Sequence, residues 1–356
     1  MSEEVLATFD VKHLSVLDVE GNLDRTQIAP PDDALVRRMY ECMVLSRVFD
    51  ERALSLQREG RLGTYPSILG QEAAQVGSAI ALEQPDWVFP AFRESGVHLT
   101  LGYPVDQLFQ YWGGDERGMR IPDNMNIFPV CVAVGTHIPH AVGAALAAKY
   151  RKDPIVVVAY FGDGATSKGD FHEGLNMAGV LQLPVVFICQ NNQWAISIPV
   201  KGQTAAATIA QKAIGYGFDG IQVDGNDVFA VHHAAQRAFE KARSGGGPTF
   251  IECLTYRLSD HTTADDAGRY RRADEVEAWR VKDPLLRLER YMAKEDLLTD
   301  EYRAEVRNRA VQTVDDAVRV MEEHPPPAVE DLFTHTLAQL TPRQARQLKE
   351  VTHGPA

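Results

Sequence analysis

The stretch GDGATSKGDFHEGLNMAGVLQLPVVFICQNN, residues 162–192, begins with an acidic turn and ends with two amides. An apolar run precedes each polar group: PIVVVAYF at 154–161 and PVVFIC at 184–189. A helical segment at about 170–181 separates the two runs, so the stretch is predicted to form one βαβ unit. Continuously apolar strands that alternate with helices indicate a parallel sheet with helices on both faces. The predicted fold class is therefore α/β.

The polar groups of this stretch fall where an α/β sheet binds ligands, beyond the carboxyl ends of its strands. Asp163 follows the first strand and Asn192 follows the second, so both are expected at one edge of the sheet. Gly162 and Gly164 allow a tight turn and a close approach to an anion. Carboxylate, amide and phosphate oxygens suit Mg²⁺. This pairing predicts a metal–diphosphate site, whereas either motif alone is more often a solvated turn or a cap.

The remaining elements are predicted from apolar periodicity and from turn residues. Helices are expected at about 32–60, 71–82, 104–112, 136–150 and 228–244, and further strands at 220–225 and 249–258. The chain divides into an extended N-terminal arm (1–31), an α/β domain (32–273) and a helical C-terminal region packed on the same domain (274–356).

Composition narrows the class of protein. The 356 residues carry a net charge of −13, which argues against a nucleic-acid or anionic-membrane surface. The start, MSEEVLATFD, lacks the basic and apolar regions of a signal peptide, and no apolar run is long enough to span a bilayer. The four cysteines form no CxxC pair and are expected to be free thiols, three of them in apolar runs. A cytoplasmic protein is expected.

The spacing from GDG to NN resembles the thiamine diphosphate motif of thiamine-dependent enzymes. More narrowly, GDGATSKGDFHEGLNMAGV and CQNNQWAISIPV resemble the E1 α subunit of 2-oxo acid dehydrogenase complexes, and the likeness extends over about residues 35–290. It implies a thiamine diphosphate-binding fold in which Asp163, the Asn192 side chain and the Trp194 carbonyl bind Mg²⁺. The turn residues that it implies at the cofactor are Gly162, Asp163, Gly164 and Ala165.

Two further segments are similar to the family's cofactor site. FPAFRESG (89–96) resembles an aromatic–arginine pair, which implies that Phe92 and Arg93 bind the cofactor and that Arg93 clamps the diphosphate. Phe92 stands where tyrosine is usual, so one hydroxyl is missing. VAVGTHIPHAVG (132–143) resembles the segment beneath the bent cofactor, which implies that Val134 and Gly135 contact it. Val132 is expected either in the substrate pocket or in the core.

The segment TYRLSDHTTADDAGRYR (255–271) resembles the family's mobile loop at the mouth of the active site. The resemblance implies that His261 is catalytic and contacts the cofactor phosphates, and that Tyr270 and Arg271 order the loop and meet the lipoyl carrier. Thr262 stands where mitochondrial relatives carry a serine that kinases phosphorylate. Whether Thr262 or Thr263 is modified stays open.

The resemblance implies thiamine-dependent oxidative decarboxylation of a 2-oxo acid, with transfer of the acyl group to the lipoyl domain of an E2 component. It also implies an α₂β₂ assembly, because this length fits one α/β layer and the activating carboxylate comes from a separate β chain. Pyruvate is favoured by the likeness of YWGGDERGM and QNNQWAISIPV to bacterial pyruvate-type subunits. The alternatives are a branched-chain 2-oxo acid, acetoin, and a non-catalytic subunit that binds a magnesium nucleotide.

Overall fold

The computed structural model describes residues 3–353. The strands are β1 (Lys12–Leu14), β2 (Trp87–Phe89), β3 (Val157–Gly162), β4 (Val185–Asn191), β5 (Trp194–Ala195), β6 (Ile198–Pro199), β7 (Asp219–Asp224) and β8 (Thr249–Leu254). Six of them form one sheet in the order β1-β7-β8-β4-β3-β2, and every neighbouring pair is parallel. Strands β5 and β6 form a separate antiparallel pair. The predicted α/β class with a parallel sheet is confirmed.

Helices cover both faces of the sheet. They are α1 (Asp33–Arg58), α2 (Glu72–Ile80), α3 (Ser95–Thr100), α4 (Val105–Trp112), α5 (His137–Arg151), α6 (Gly169–Leu181), α7 (Val200–Gln203), α8 (Val228–Arg243), α9 (Ala273–Arg280), α10 (Pro284–Lys294), α11 (Asp300–Glu323), α12 (Asp331–Thr334) and α13 (Pro342–His353). Short 3₁₀ helices lie at Glu116–Met119, Asp163–Ser167, Ala210–Tyr216 and Ala267–Arg269. No helix within residues 3–353 combines the length and the apolar composition needed to cross a bilayer.

The central strands are buried on both faces, which explains their continuous apolar runs. In β3, Val158 and Tyr160 face a core shared with α1, α2 and α8, while Ala159 and Phe161 face a second core shared with α5 and α6. Strand β4 alternates in the same way. A strand with period-two side chains can be apolar throughout only when both faces are covered.

Side-chain caps determine where several helices begin. Asp32 accepts a hydrogen bond from the Leu35 amide at the start of α1, and Thr299 accepts one from Tyr302 at the start of α11. Asp283 caps α10, whose first residue is Pro284. Each cap satisfies amide groups that have no partner inside the helix.

Two short strands and one strand end differ from the sequence-based prediction. The sequence does not predict strands β1 and β2, because three residues at each edge of a sheet leave no periodic signal. The strand predicted at 249–258 ends at Leu254, since Thr255 leaves the ladder and donates its hydroxyl to the Gly70 carbonyl. Strand β1 lies inside the predicted N-terminal arm, and the division at residues 31 and 273 stays a prediction.

Two carboxylates, one fully buried and one partly exposed, bind the N-terminal segment and a C-terminal helix to the region around β7. Asp227 is fully buried and accepts hydrogen bonds from the amides of Val16 and Leu17 as well as from the first turn of α8. Asp224 pairs with Arg287 of α10 at 2.7 Å. These contacts position the N-terminal segment beside β7 and bring the C-terminal helices onto the same core.

Candidate active site

A cleft of about 590 Å³ opens at the carboxyl edge of the sheet, where β3 and β4 end. It is lined by twelve of the fourteen residues that the sequence singled out: Phe92, Arg93, Val132, Val134, Gly135, Gly162, Asp163, Gly164, Ala165, Asn192, Trp194 and His261. The other two, Tyr270 and Arg271, lie behind its wall. Segments far apart in sequence therefore meet in one place.

Asp163 is the buried carboxylate of the cleft. It follows β3 directly, and Gln203 of α7 donates to its Oδ2 at 2.6 Å. Burial raises the pKa of Asp163 to about 6, because a carboxylate loses its hydration there. No Lys, Arg or His nitrogen within residues 3–353 lies close enough to form an ion pair with it. This carboxylate is accordingly available to a cation.

Position 164, in the same turn, must be glycine because the β5 segment passes close to its Cα. A Cβ at that position would lie 2.8 Å from the Cβ of Ala195, so a side chain would push the β5 segment away. Gly164 and Ala165 both line the cleft at the first turn of the short helix that starts at Asp163. Backbone amides at such a turn can donate to an anion.

Asn192 and Trp194 lie beside Asp163 because β4 ends next to β3. The Asn192 amide nitrogen donates to Gln71 Oε1 at 3.1 Å, which directs Oδ1 away from Gln71. The carbonyl of Trp194 accepts a hydrogen bond from Arg257. The backbone around Trp194 is unusual, since Gln193 and Ile196 have φ angles of 74° and 55°. A β-branched residue with positive φ is strained, and such strain clusters at functional sites.

The residues present fit a magnesium ion. One carboxylate, one amide oxygen and one backbone carbonyl are the hard donors that Mg²⁺ prefers alongside phosphate oxygens. Among the described residues, buried Asp163 has a hydrogen-bond donor but no cationic partner, and the buried Oε1 of Gln203 accepts no hydrogen bond, so this end of the cleft can accommodate a cation. Within residues 3–353 no group of three His, Cys, Asp or Glu side chains is placed to hold a metal.

Arg93 is a buried cation that lines the same cleft. It donates to the carbonyls of Ser67 and His261 at 2.6 and 2.8 Å, and the part of the chain that the structure describes offers its guanidinium no carboxylate partner. Its pKa is lowered to about 10, first by burial and then by the neighbouring charge of Arg257. Phe92 packs beside both residues, with its ring 5.4 Å from the Arg93 guanidinium and edge-on to the His261 ring.

Arg257 is a second buried cation, and the sequence analysis did not select it. Its side chain is fully buried and donates to the Ile196 carbonyl at 2.8 Å and to the Tyr270 hydroxyl at 2.8 Å. Burial lowers its pKa, and its Nε has no hydrogen-bond partner within residues 3–353. An arginine inside the apolar run TFIECLTYRL was the available signal, because a core strand rarely buries an unpaired charge.

His261 brings the loop onto the cleft between the two arginines. Its Nδ1 lies 3.1 Å from Arg93 Nη2 and 3.2 Å from Arg257 Nη1. Burial, followed by the charges of Arg93 and Arg257, lowers the pKa of His261 to about 4. Because two donors face Nδ1, that nitrogen is the acceptor and the proton is on Nε2.

The predicted loop residues lie behind His261. The hydroxyl of Tyr270 contacts Asp265, whose carboxylate also accepts the His261 amide, and Arg271 donates to the carbonyls of Leu258 and Ser259. These bonds are local to the loop. The predicted contact of Tyr270 and Arg271 with a lipoyl carrier stays a prediction.

The mouth of the cleft is apolar and exposed. Val132 is 59% exposed, Val134 42% and Ile196 56%. Val132 is thus part of the cleft wall, and the alternative that it belongs to the core is wrong. Gly135 has a φ of +83°, a conformation that glycine adopts without strain, and it turns the chain from this wall into α5.

Comparison with known proteins identifies the family. The model of the family described as dehydrogenase E1 component matches residues 40–330. The chain therefore belongs to the dehydrogenase E1 component family. Within that family it is similar to the α subunits of 2-oxo acid dehydrogenases, as the resemblance predicted.

Three relatives span nearly the whole chain. The chain is 44% identical over 321 residues to the 3-methyl-2-oxobutanoate dehydrogenase subunit α of Mycobacterium tuberculosis, which is 90% of this chain and 87% of that one. It is 38% identical over 337 residues to the pyruvate dehydrogenase E1 component subunit α of Acholeplasma laidlawii (94% and 97%). It is 40% identical over 309 residues to the subunit of the same name in Staphylococcus aureus (86% and 83%).

Proposed function

We propose that this chain binds thiamine diphosphate and Mg²⁺ in the cleft and, with a β subunit, catalyses the oxidative decarboxylation of a 2-oxo acid. The observation that carries the proposal is the presence of unpaired buried charges of both signs at one cleft. The Asp163 carboxylate and the Arg93 guanidinium both line the cleft, Arg257 lies behind Trp194 and Ile196, whose carbonyls it binds, and none of the three forms an ion pair within residues 3–353. A magnesium diphosphate has the complementary charges.

Each residue has a distinct task in this proposal. Asp163, Asn192 and the Trp194 carbonyl hold the metal, while Gly164 and Arg93 hold the diphosphate through an amide and a planar guanidinium. Thiamine diphosphate, when bound, supplies the nucleophilic carbon and the electron sink of the decarboxylation. The low dielectric of the buried wall strengthens every one of these contacts.

His261 acts as a neutral imidazole at neutral pH. Its Nδ1 is held by the two arginines, so Nε2–H is the hydrogen that it can donate to a phosphate or to the substrate. The same two cations oppose its protonation. We assign His261 to holding the ligand by donation rather than to removing a proton from it.

The β subunit completes the site from the mouth side. Val132, Val134 and Ile196 leave the cleft open there, and α5 and α6, which pack on each other, carry further exposed apolar side chains: Leu146, Tyr150, Met177 and Val180. Exposed apolar side chains near a binding cleft are typical of a protein interface. We assign this face to the β subunit, and the 255–271 loop to the lipoyl domain of E2.

Two substrates have specific support. Pyruvate is favoured by the segments YWGGDERGM and QNNQWAISIPV, whose likeness is to pyruvate-type subunits. 3-Methyl-2-oxobutanoate is the second candidate, because the subunit with 44% identity carries that name and because the exposed wall of valine and isoleucine suits a branched chain. Two extra methyl groups in an apolar pocket change kcat/KM by roughly 10–200-fold each.

The test is a competition on the assembled enzyme. Chain and β subunit are co-expressed, and the dye-reduction rate is measured with pyruvate, 3-methyl-2-oxobutanoate and acetoin. Pyruvate is expected to give the highest kcat/KM, and a higher value for 3-methyl-2-oxobutanoate establishes the second candidate. A parallel titration compares thiamine diphosphate with ATP in the presence of Mg²⁺. Binding of ATP alone would contradict the whole proposal.

A further inference from the structure

A chain of three buried side chains ends at the main chain of Arg93. Gln75, Gln190 and Glu94 are each at most 2% exposed, and the last two line the cleft. Gln75 Nε2 donates to Gln190 Oε1 at 2.8 Å, and Gln190 Nε2 donates to Glu94 Oε1 at 2.6 Å. No side chain of this set was selected from the sequence.

Two backbone groups determine the polarity of the chain. The Gly96 amide donates to Gln75 Oε1 at 2.8 Å, and Gln75 Nε2 donates to the Arg93 carbonyl at 2.7 Å. Because these two bonds determine which end of the Gln75 amide is the donor, Gln190 must accept from Gln75 and donate to residue 94. A Cβ at Gly96 would lie 2.8 Å from Gln75 Oε1, so this arrangement also depends on glycine.

Residue 94 must therefore be an acceptor on both oxygens. Glu94 Oε1 accepts from Gln190, and Oε2 accepts from the Arg93 amide at 3.0 Å. A carboxylate satisfies both donors, whereas an amide offers one acceptor and brings its own NH₂ against that of Gln190. The chain thus holds Arg93 by its amide through Glu94 and by its carbonyl through Gln75.

We propose that Glu94 is a positioning residue that fixes the main chain of Arg93 and so directs the Arg93 guanidinium toward the diphosphate. The inference rests on the proposed function, in which Arg93 contacts the diphosphate. It adds a residue whose effect on the ligand is transmitted through Arg93.

The test uses Glu94→Gln, Gln190→Glu and the double variant. In the double variant the carboxylate introduced at position 190 accepts from Gln75 and from the NH₂ group introduced at position 94. The new amide oxygen at position 94 accepts from the Arg93 amide, so every donor is paired again. Thiamine diphosphate and inorganic pyrophosphate, each with Mg²⁺, are titrated into the assembled protein. Hydrogen exchange at the Arg93 amide is measured on the full chain without ligand.

Glu94→Gln is expected to weaken binding of both probes by roughly tenfold, since a buried donor loses its partner beside Arg93. Exchange at the Arg93 amide rises in the same variant. The double variant is expected to recover both quantities to within about threefold, because the donors and acceptors are matched once more. Asp227→Asn is the matched control: that carboxylate is equally buried, lies away from the cleft and should affect stability alone.

Two results overturn the inference. One is unchanged affinity in Glu94→Gln together with a lower unfolding temperature. In that case the hydrogen bonds among Gln75, Gln190 and Glu94 only stabilise the fold. The other is a double variant that binds no better than Glu94→Gln. Failure of the wild-type protein to bind thiamine diphosphate counts instead against the proposed function, and exchange at the Arg93 amide then still tests the hydrogen-bonded chain.

Discussion

The cleft has two ends that differ in almost every physical respect. Its rear end, formed by Asp163, Asn192 and Arg93, is buried and polar, and each of the three side chains forms a hydrogen bond within the chain. Its mouth, formed by Val132 and Val134, is apolar and exposed. The rear is assembled by strands and loops of this chain alone, whereas nothing in residues 3–353 covers the mouth.

In the proposed function this difference divides the work: the rear binds the cofactor, and its use depends on a cover at the mouth. Metal and diphosphate recognition needs charges in a low-dielectric setting, and this chain builds that setting from its own sheet edge. Exclusion of water and activation of the cofactor need a cover, which an exposed valine wall does not provide. The mouth, the rear and the loop between them can each be changed separately.

The largest effect is expected from removing the partner. The purified chain, saturated with thiamine diphosphate and Mg²⁺, should not turn over any 2-oxo acid, since the missing acid–base group alone is worth roughly 10²–10⁴-fold. Mixing with the β subunit should produce a heterotetramer, with activity appearing together with assembly. The measurement is decarboxylation by monodisperse chain and by complex. Equal turnover in the two samples would show that the mouth needs no cover.

Asp163→Asn should have the next largest effect, at the rear. Loss of the buried charge removes the anionic metal ligand that the described part of this chain offers, and cofactor affinity should fall by about 100-fold. Raising Mg²⁺ should restore part of the affinity. Asp219→Asn is the control and should leave binding unchanged, because Asp219 is the first residue of β7 and lies at the amino ends of the strands, away from the cleft. Calorimetric titration measures both variants, and a wild-type Kd in Asp163→Asn rejects the metal assignment.

Arg93→Lys should weaken the rear by a smaller factor. An ammonium cannot form two parallel hydrogen bonds to a diphosphate, so the apparent cofactor constant should rise roughly tenfold with little change in folding stability. Arg243→Lys is the control, because that guanidinium binds Asp86 through two hydrogen bonds away from the cleft. If thermal stability collapses in Arg93→Lys while cofactor affinity holds, the role of Arg93 is structural.

The smallest effect concerns pH and the loop between the two ends. The folded pKa of His261 is about 4, below its unfolded value of about 6.5, so the unfolded chain binds the extra proton between these values. His261 therefore contributes stability that is complete above pH 6.5 and is lost as the pH falls toward 4. His261→Asn should flatten this decline in unfolding temperature, whereas His324→Asn, at an exposed position, should not. Parallel curves for wild type and His261→Asn would show that the ring is not buried between the arginines.

The sequence predicted the residues at the rear of the cleft better than the buried residues that hold them in place. Asp163 and Asn192 could be found because each directly follows an apolar strand, and neighbouring parallel strands end at one edge. Arg257 and Glu94 could not be placed in this way. Their partners, Ile196 and Gln190 among them, lie 61 and 96 residues away in the chain. Such pairs leave no periodic signal, because they form only when separate segments pack together.

What the sequence determined by itself is the local order: apolar strands alternating with helices, the glycines of the turn, and a carboxylate and an amide at two strand ends. Those features depend on backbone preferences and on a repeat of two or 3.6 residues, which are local properties. Only the tertiary structure decided which charges stay unpaired among the described residues, which side of the cleft is open, and that Glu94 must accept two hydrogen bonds. Burial and donor–acceptor pairing are properties of the packed molecule, since the cost of an unpaired polar group arises only after water has been excluded.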